Sequence, residues 1–434
     1  MHIGVEDGFT LTAVGDCISS RVLSPRLETD SSFAAIIELL RRGDVAFGNL
    51  ETGVFDIRGF EGYQRTMDDW AIVGPPAVAR DLRSLGFQLM GRANNHALDW
   101  SIAGMRETGR WLDDAGIVHA GVGETLAQAR APRYLETPQG RVALVSFHTT
   151  TRLDQAQALD QFGQVPPRPG FNPVRLRTKA TVPEPVLEGL RDVDHALRLT
   201  GTANAPRPEG SALDLLGVSF AAGTETSVDY LPFAEDVEAL CESVRLGKQH
   251  SDFLVVSAHV HEEGTDPGTH PAFLTDIAHS LVDAGADAFI GHGVHRLWPI
   301  EVYQGKVICY GLGNFFFHDI LEPVTAILYD DARSYIDVDG ATDADVTRAL
   351  SGPDFDAECY YESVLVSMSV EGGLIAEVQL HPITLGYGER LTRMGIPQLA
   401  SGQQGLDILE RVASASKATG TSLVIEDGVG LIRP

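Results

Sequence analysis

Five short stretches of the 434-residue chain put metal-ligand chemistry directly after an apolar run. They are Gly15-Asp16, Asn49-Leu50-Glu51, Asn94-Asn95-His96 with Asp99, His259-Val260-His261 with Glu263, and His292 with His295. Carboxylate, amide oxygen and imidazole together make the donor set of a divalent transition ion. Any one stretch alone is ordinary, because an Asp or Asn after a strand usually forms a turn or caps a helix. All five follow apolar runs, and that points to one shared ligand. In an open α/β sheet ligands gather at the carboxyl ends of strands, so residues far apart in sequence converge there.

The apolar runs set the scaffold. "FTLTAVG" (9–15), "VAFGNL" (45–50), "FQLMGR" (87–92), "RVALVSF" (141–147), "DFLVVSAH" (252–259), "DAFIGH" (287–292) and "KVICYGLG" (306–313) read as short strands. Helices are expected at about 31–42, 76–85, 101–115, 234–248 and 271–285. This alternation predicts a layered α/β fold with sheets in the middle and helices outside. Residues 362–385 read as an antiparallel hairpin around Gly372-Gly373. Residues 149–233, rich in Pro, Gly and Thr, read as an insertion or lid with helices near 154–160 and 183–200. A second, acidic insert spans 329–356, and 404–434 reads as one helix and a short strand.

Composition narrows the partners. A formal net charge of −27 repels phosphate backbones, which argues against nucleic acid. It also makes an acidic polymer an awkward substrate unless the site is locally basic. The four cysteines, Cys17, Cys241, Cys309 and Cys359, are widely separated and suit a reducing compartment. The opening residues show no signal-peptide pattern, and no run approaches the ~18 apolar residues of a membrane helix. A cytoplasmic protein without a membrane partner is expected.

The order Asp16, Asn49-Leu50-Glu51, Asn95-His96, His259, Gly291-His292 and His295 resembles the calcineurin-like metallophosphoesterase superfamily. More narrowly, "LTAVGDCISSR", "FGNLETGV", "ANNHALDW", "VVSAHVHEEG" and "DAGADAFIGHGVHRLWPIEVYQGKVICYGLGNFFF" resemble the blocks of the CapA family, named for capsule poly-γ-glutamate synthesis. The resemblance implies a four-layer α/β/β/α sandwich. It implies a catalytic domain over 9–320 with the 149–233 insert, and an extension over 321–434 that completes the sheets. It also implies two metal positions. One would take Asp16, a residue two further on, Glu51 and His295; Ile18 stands at that second place and cannot ligate. The other would take Glu51, Asn95, His259 and His292. One well-formed site for a divalent ion (Mn, Zn, Fe, Ca or Mg) is therefore expected.

His96 stands where the superfamily keeps a histidine that protonates the leaving group. With the first position weakened, His96 and His295 become candidate acid–base groups beside one Lewis acid. That arrangement suits proton exchange at a peptide Cα. A CapA-like branch in lasso-peptide biosynthesis epimerises the C-terminal tryptophan of a precursor peptide, and the chain resembles it in length and metal block. The leading expectation is thus a metal-dependent peptide epimerase with a precursor peptide as partner. The alternative is a metallophosphoesterase or an enzyme of poly-γ-glutamate synthesis, and a non-catalytic scaffold comes last. Around the site, Asp99 is expected to orient a histidine or cap a helix. Arg92 and Arg296 could clamp a carboxylate, Glu263 matches a family acid, and His261 reads as a pocket residue. Cys17 reads as a buried inert thiol. Trp70, Trp100 and Trp298 read as either a substrate wall or core.

Overall fold

The structure, a computed structural model, describes residues 4–64, 71–151, 157–199, 213–265, 268–318, 326–350, 357–390 and 392–434. Strands Thr10–Ile18 (β1), Val45–Leu50 (β2), Leu89–Gly91 (β3) and Val118–Ala120 (β4) lie side by side and parallel in a first sheet. Strands Gly140–Thr150 (β5), Pro173–Pro183 (β6), Phe253–His259 (β7), Ala288–His292 (β8), Ile300–Tyr303 (β9) and Lys306–Cys309 (β10) build a second. The chain then returns to the first sheet. Asn314–Phe317 (β11) pairs in parallel with the end of β1, and the hairpin Glu362–Glu371 (β12) and Leu374–Thr384 (β13) pairs antiparallel with its start. Among the described residues each of these two sheets has ten strands.

Parallel neighbours need crossovers, and helices supply them. Ser31–Arg41 (α1), Ala77–Leu85 (α2) and Ser101–Ala115 (α3) serve the first sheet. Glu184–Leu199 (α4) lies in the insert, Ala234–Gln249 (α5) and Ala272–Asp283 (α6) serve the second sheet, and Gly402–Ser416 (α7) lies near the C-terminus. The Asp30 carboxylate caps α1 by accepting from the Phe33 amide at 3.1 Å.

Strict alternation along the strands fixes the layers. Leu11, Val45, Phe47, Val142, Leu144, Phe253, Val255, Ala288 and Ile290 meet between the sheets. Val14 and Ala46 face Phe33, Ile36, Val78 and Leu82 of α1 and α2. Leu254, Val256 and Phe289 face Leu240, Val244, Leu274 and Ile277 of α5 and α6. The order is helices, sheet, sheet, helices, the four-layer sandwich expected. Each of these fully buried Val, Leu, Ile and Phe side chains contributes about 1.5–3 kcal/mol relative to exposure.

The insert is partly sheet. Strand β6 pairs with the end of β5, and Val218–Gly223 and Ser227–Pro232 flank β6. Helix α4 matches the one expected at 183–200. Of the helix expected at 154–160, residues 157–160 are non-helical and bridge to Phe171 and Arg168, and 152–156 lie outside the described residues. Within the acidic insert, Ala326–Ala332 and Asp343–Leu350 are helices packed through Leu328, Ala332 and Val346. After α7 the chain ends in a hairpin, Val424–Glu426 with Val429–Ile432, where one short strand was expected. Among the described residues no helix is long and apolar enough to cross a membrane.

Candidate metal centre

The alternation that builds the core also builds the site. Along β7 the residues facing the other sheet run Phe253, Val255, Ser257, His259; along β5 they run Val142, Leu144, Ser146, His148; along β8 they run Ala288, Ile290, His292. Parallel register puts His148, His259 and His292 side by side at the carboxyl end. In the first sheet Asn314, Asp16 and Asn49 share the facing register position. Three imidazoles therefore oppose a carboxylate held between two amides. Gly15 makes this possible: a Cβ there would collide with the Gly313 carbonyl, which accepts from the Asp16 amide at 3.0 Å.

Asp16 is fully engaged. Its Oδ1 accepts from Asn49 Nδ2 at 2.8 Å and its Oδ2 from the Gly293 amide at 2.8 Å, with His295 Nδ1 at 3.3 Å. Glu51 is the opposite case. It is completely buried and neither carboxylate oxygen has a hydrogen-bond partner. Around its Oε1 stand His259 Nε2 at 3.3 Å, His96 Nε2 at 3.9 Å and His295 Nε2 at 3.9 Å. His259 Nε2 is also 2.9 Å from Asn95 Oδ1 and 2.9 Å from His261 Nε2. An orphaned buried carboxylate costs several kcal/mol, and a cation would remove that cost. Three donor sets converge within 4.8 Å: Asp16, His259 and His292; Glu51, His259 and His261; Asp16, Glu51 and His295. These residues fit a divalent ion.

The electrostatics agree. Burial, then the Asp16 charge, push the Glu51 carboxyl far above the usual range. Burial would also raise Asp16, but His295, His292 and the Gly293 amide hold it well below. Burial pushes His292 and His148 down to about 4 and His259 well below the ordinary imidazole value. These three are neutral, the form that ligates. Burial opposes the charge on His295 too, yet Glu51 and Asp16 overcome it and raise His295 to about 9.

His96 donates Nδ1–H to Asp99 Oδ2 at 2.7 Å, which turns its Nε2 toward Glu51. Asn94 braces the loop by donating to the Leu50 carbonyl at 2.8 Å, leaving Asn95 to face His259. His295 donates Nδ1–H to Asn314 Oδ1 at 2.9 Å and sits at φ 59°, a strained value for a non-glycine. Arg92 does not reach the donor cluster; its guanidinium is buried against α3 and donates to the Met105 carbonyl at 2.9 Å. Arg296 is tied to Tyr360 Oη at 2.6 Å and to Glu263 at 3.4 Å, and Glu263 accepts from the Gly268 amide at 2.9 Å. Trp100 lines a small pocket with His96 and packs edge-on against Phe55 and Phe60. Trp298 is core, Trp70 lies outside the described residues, and Cys17 is buried with its thiol pushed well up by burial beside Asp16 and Glu51. His148 and Asn314 were not anticipated as site residues. The first continues the alternation of β5 by one step, and the second hid inside an aromatic-rich strand.

Residues 10–319 match the family described as bacterial capsule synthesis protein PGA_cap. The Sinorhizobium fredii protein y4sH is 44% identical over 99% of this chain and 94% of its own length. The PGA biosynthesis protein CapA of Bacillus subtilis is 26% identical over 72% of this chain and 64% of its own. The capsule biosynthesis protein CapA of Bacillus anthracis is 23% identical over 71% and 59%. With the match running from β1 through β11 and so spanning every strand end that carries a donor, the chain belongs to the PGA_cap family of bacterial capsule synthesis proteins.

Proposed function

We propose that this chain is a metal-dependent hydrolase of poly-γ-glutamate metabolism that cleaves a γ-glutamyl amide bond. The observation that carries the reading is the orphaned Glu51 carboxylate, ringed by Asp16, Asn95, His259 and His295, with the His96–Asp99 pair at its edge. Asp16, Glu51, Asn95, His259, His292 and His295 would hold the ion. A divalent cation there supplies Lewis-acid stabilisation of the charge that develops on the substrate oxygen. The protein's own part is proton transfer: Asp99 holds His96 Nδ1–H, so the proton His96 delivers to the leaving nitrogen sits on Nε2. A divalent cation held there would set a local positive charge inside a chain of net charge −27, which suits a polyanionic substrate. We place the reaction in the cytoplasm, in keeping with four free cysteines. The test is to load the protein with Mn²⁺ and incubate it with oligo-γ-glutamate in H₂¹⁸O. New chain ends carrying one ¹⁸O support the reading. A fully loaded enzyme that releases no chain ends removes it.

One observation favours a second reading. His96 Nε2 and His295 Nε2 lie 3.9 Å from the same Glu51 oxygen, each with its Nδ1 tied back. Two such imidazoles flanking one centre suit exchange of a Cα proton: epimerisation of the C-terminal residue, a tryptophan, of a lasso-type precursor peptide, with Trp100 beside His96 as aromatic neighbour. In D₂O this reading requires one deuteron per inverted centre and no bond cleavage. A bare aryl phosphate separates the phosphoesterase variant, which would release phosphate.

A further inference from the structure

We propose that His261 is a metal ligand through Nε2, taking the place beside Glu51, Asn95 and His259 that the resemblance gives to His292. This rests on the metal-centre reading above and deepens it. Ile18 is buried in the apolar layer with Phe33 and Ile36 and brings no lone pair to the site. His261 Nε2 lies 2.9 Å from His259 Nε2, and that is the single polar contact of its ring among the described residues. His259 Nε2 offers at most one hydrogen. Around it stand three groups with lone pairs: Asn95 Oδ1 at 2.9 Å, His261 Nε2 at 2.9 Å and Glu51 Oε1 at 3.3 Å. One hydrogen cannot serve three acceptors, whereas one cation can. His292, expected in that same donor set, meets His259 on the other side of its ring: its Nδ1 lies 2.9 Å from His259 Nδ1 and 3.5 Å from Asp16 Oδ1, and its Nε2 meets Ser257 Oγ at 2.8 Å. The geometry therefore groups Glu51, Asn95, His259 and His261 around one centre. His292 is left on the Asp16 side, beside His295, where Ile18 leaves a donor short. The His261 ring, 4.8 Å from that of His259 and 5.6 Å from that of His295, bridges the two halves.

The experiment measures bound Mn²⁺ per chain and its Kd for wild type, His261→Ala and His261→Gln, by elemental analysis after desalting and by titration. Loss of a ligand should weaken binding at least as much as loss of an outer-shell partner, which costs 10–100-fold, so about 100-fold or more is expected for His261→Ala. His261→Gln, which keeps an oxygen donor, should recover part of it. Melting of the metal-free proteins should be unchanged, because the ring is exposed and has no other tie. Wild-type-like Mn²⁺ affinity and stoichiometry in His261→Ala would overturn the proposal and leave the metal centre standing. Wild type that binds no Mn²⁺ would overturn the metal-centre reading, and this proposal with it.

Discussion

Replacing Asp99 with Asn isolates the proton-delivery step. The carboxylate is buried, 1% exposed, and its Oδ2 lies 2.7 Å from His96 Nδ1. The exchange preserves shape but removes the charge that steadies a cationic His96. A hydrogen bond to a charged group is worth about 1.5–3 kcal/mol, which is about 10- to 100-fold in rate if it is felt in the transition state. Full removal in His96→Ala should cost more, about 10²–10⁴. The assay compares two substrates with the Mn²⁺-loaded enzyme. A γ-glutamyl amide needs a proton on its leaving nitrogen. A γ-glutamyl p-nitrophenyl ester does not, since nitrophenolate departs unaided. Asp99→Asn should slow the amide by about 10- to 100-fold and leave the ester nearly untouched, with metal content unchanged. Equal losses on both substrates, or a loss that tracks metal content, would refute His96 as the proton donor.

Metal binding should be proton-linked. His295 is raised from 6.5 to about 9 and Glu51 is raised as well, so an entering cation must displace protons. Affinity should climb by up to about tenfold per pH unit for each proton released and flatten above about 9, as titrations at several pH values will show. In the metal-free protein the sign for stability is opposite. The raised His295 value contributes stability that is complete below 6.5 and lost as pH rises through about 9, so its melting temperature should fall across that window. Gly15→Ala should destabilise by more than the usual 1–3 kcal/mol of overpacking, because the new methyl meets a backbone carbonyl rather than a movable side chain; an unchanged urea midpoint would show that β1 can shift.

The layers and most of the centre are legible in the sequence for one physical reason. Where a strand alternates Val45, Phe47, Asn49 or Phe253, Val255, Ser257, His259, the inward rows are apolar until their last one or two steps, and the last step is the site. His148 follows the same rule but lies just past the apolar run 141–147, in a strand that continues to Thr150. Asn314 lay outside the rule's reach, since β11 is short and its neighbours are all aromatic. The sheet content of the insert was hidden because β6 has a half-exposed, Arg- and Lys-bearing pattern typical of a strand near a sheet edge. The terminal hairpin did have a signal, the Asp427-Gly428 turn at φ 50° and 77°. Which histidine faces which carboxylate was beyond sequence reasoning, because it depends on how two sheets meet across the sandwich.

The most direct measurement is Mn²⁺ binding by wild type and Glu51→Gln, each stripped with chelator and titrated under identical conditions. Glu51 is buried with no hydrogen-bond partner on either oxygen, so it is the group of the centre that a cation would satisfy most directly. Tight binding by wild type, weakened about 100-fold or more in Glu51→Gln while the metal-free variant melts at or above wild type, is the expected result. Wild type that takes up no Mn²⁺, or a Glu51→Gln protein that binds it equally well, would contradict a metal centre at this site.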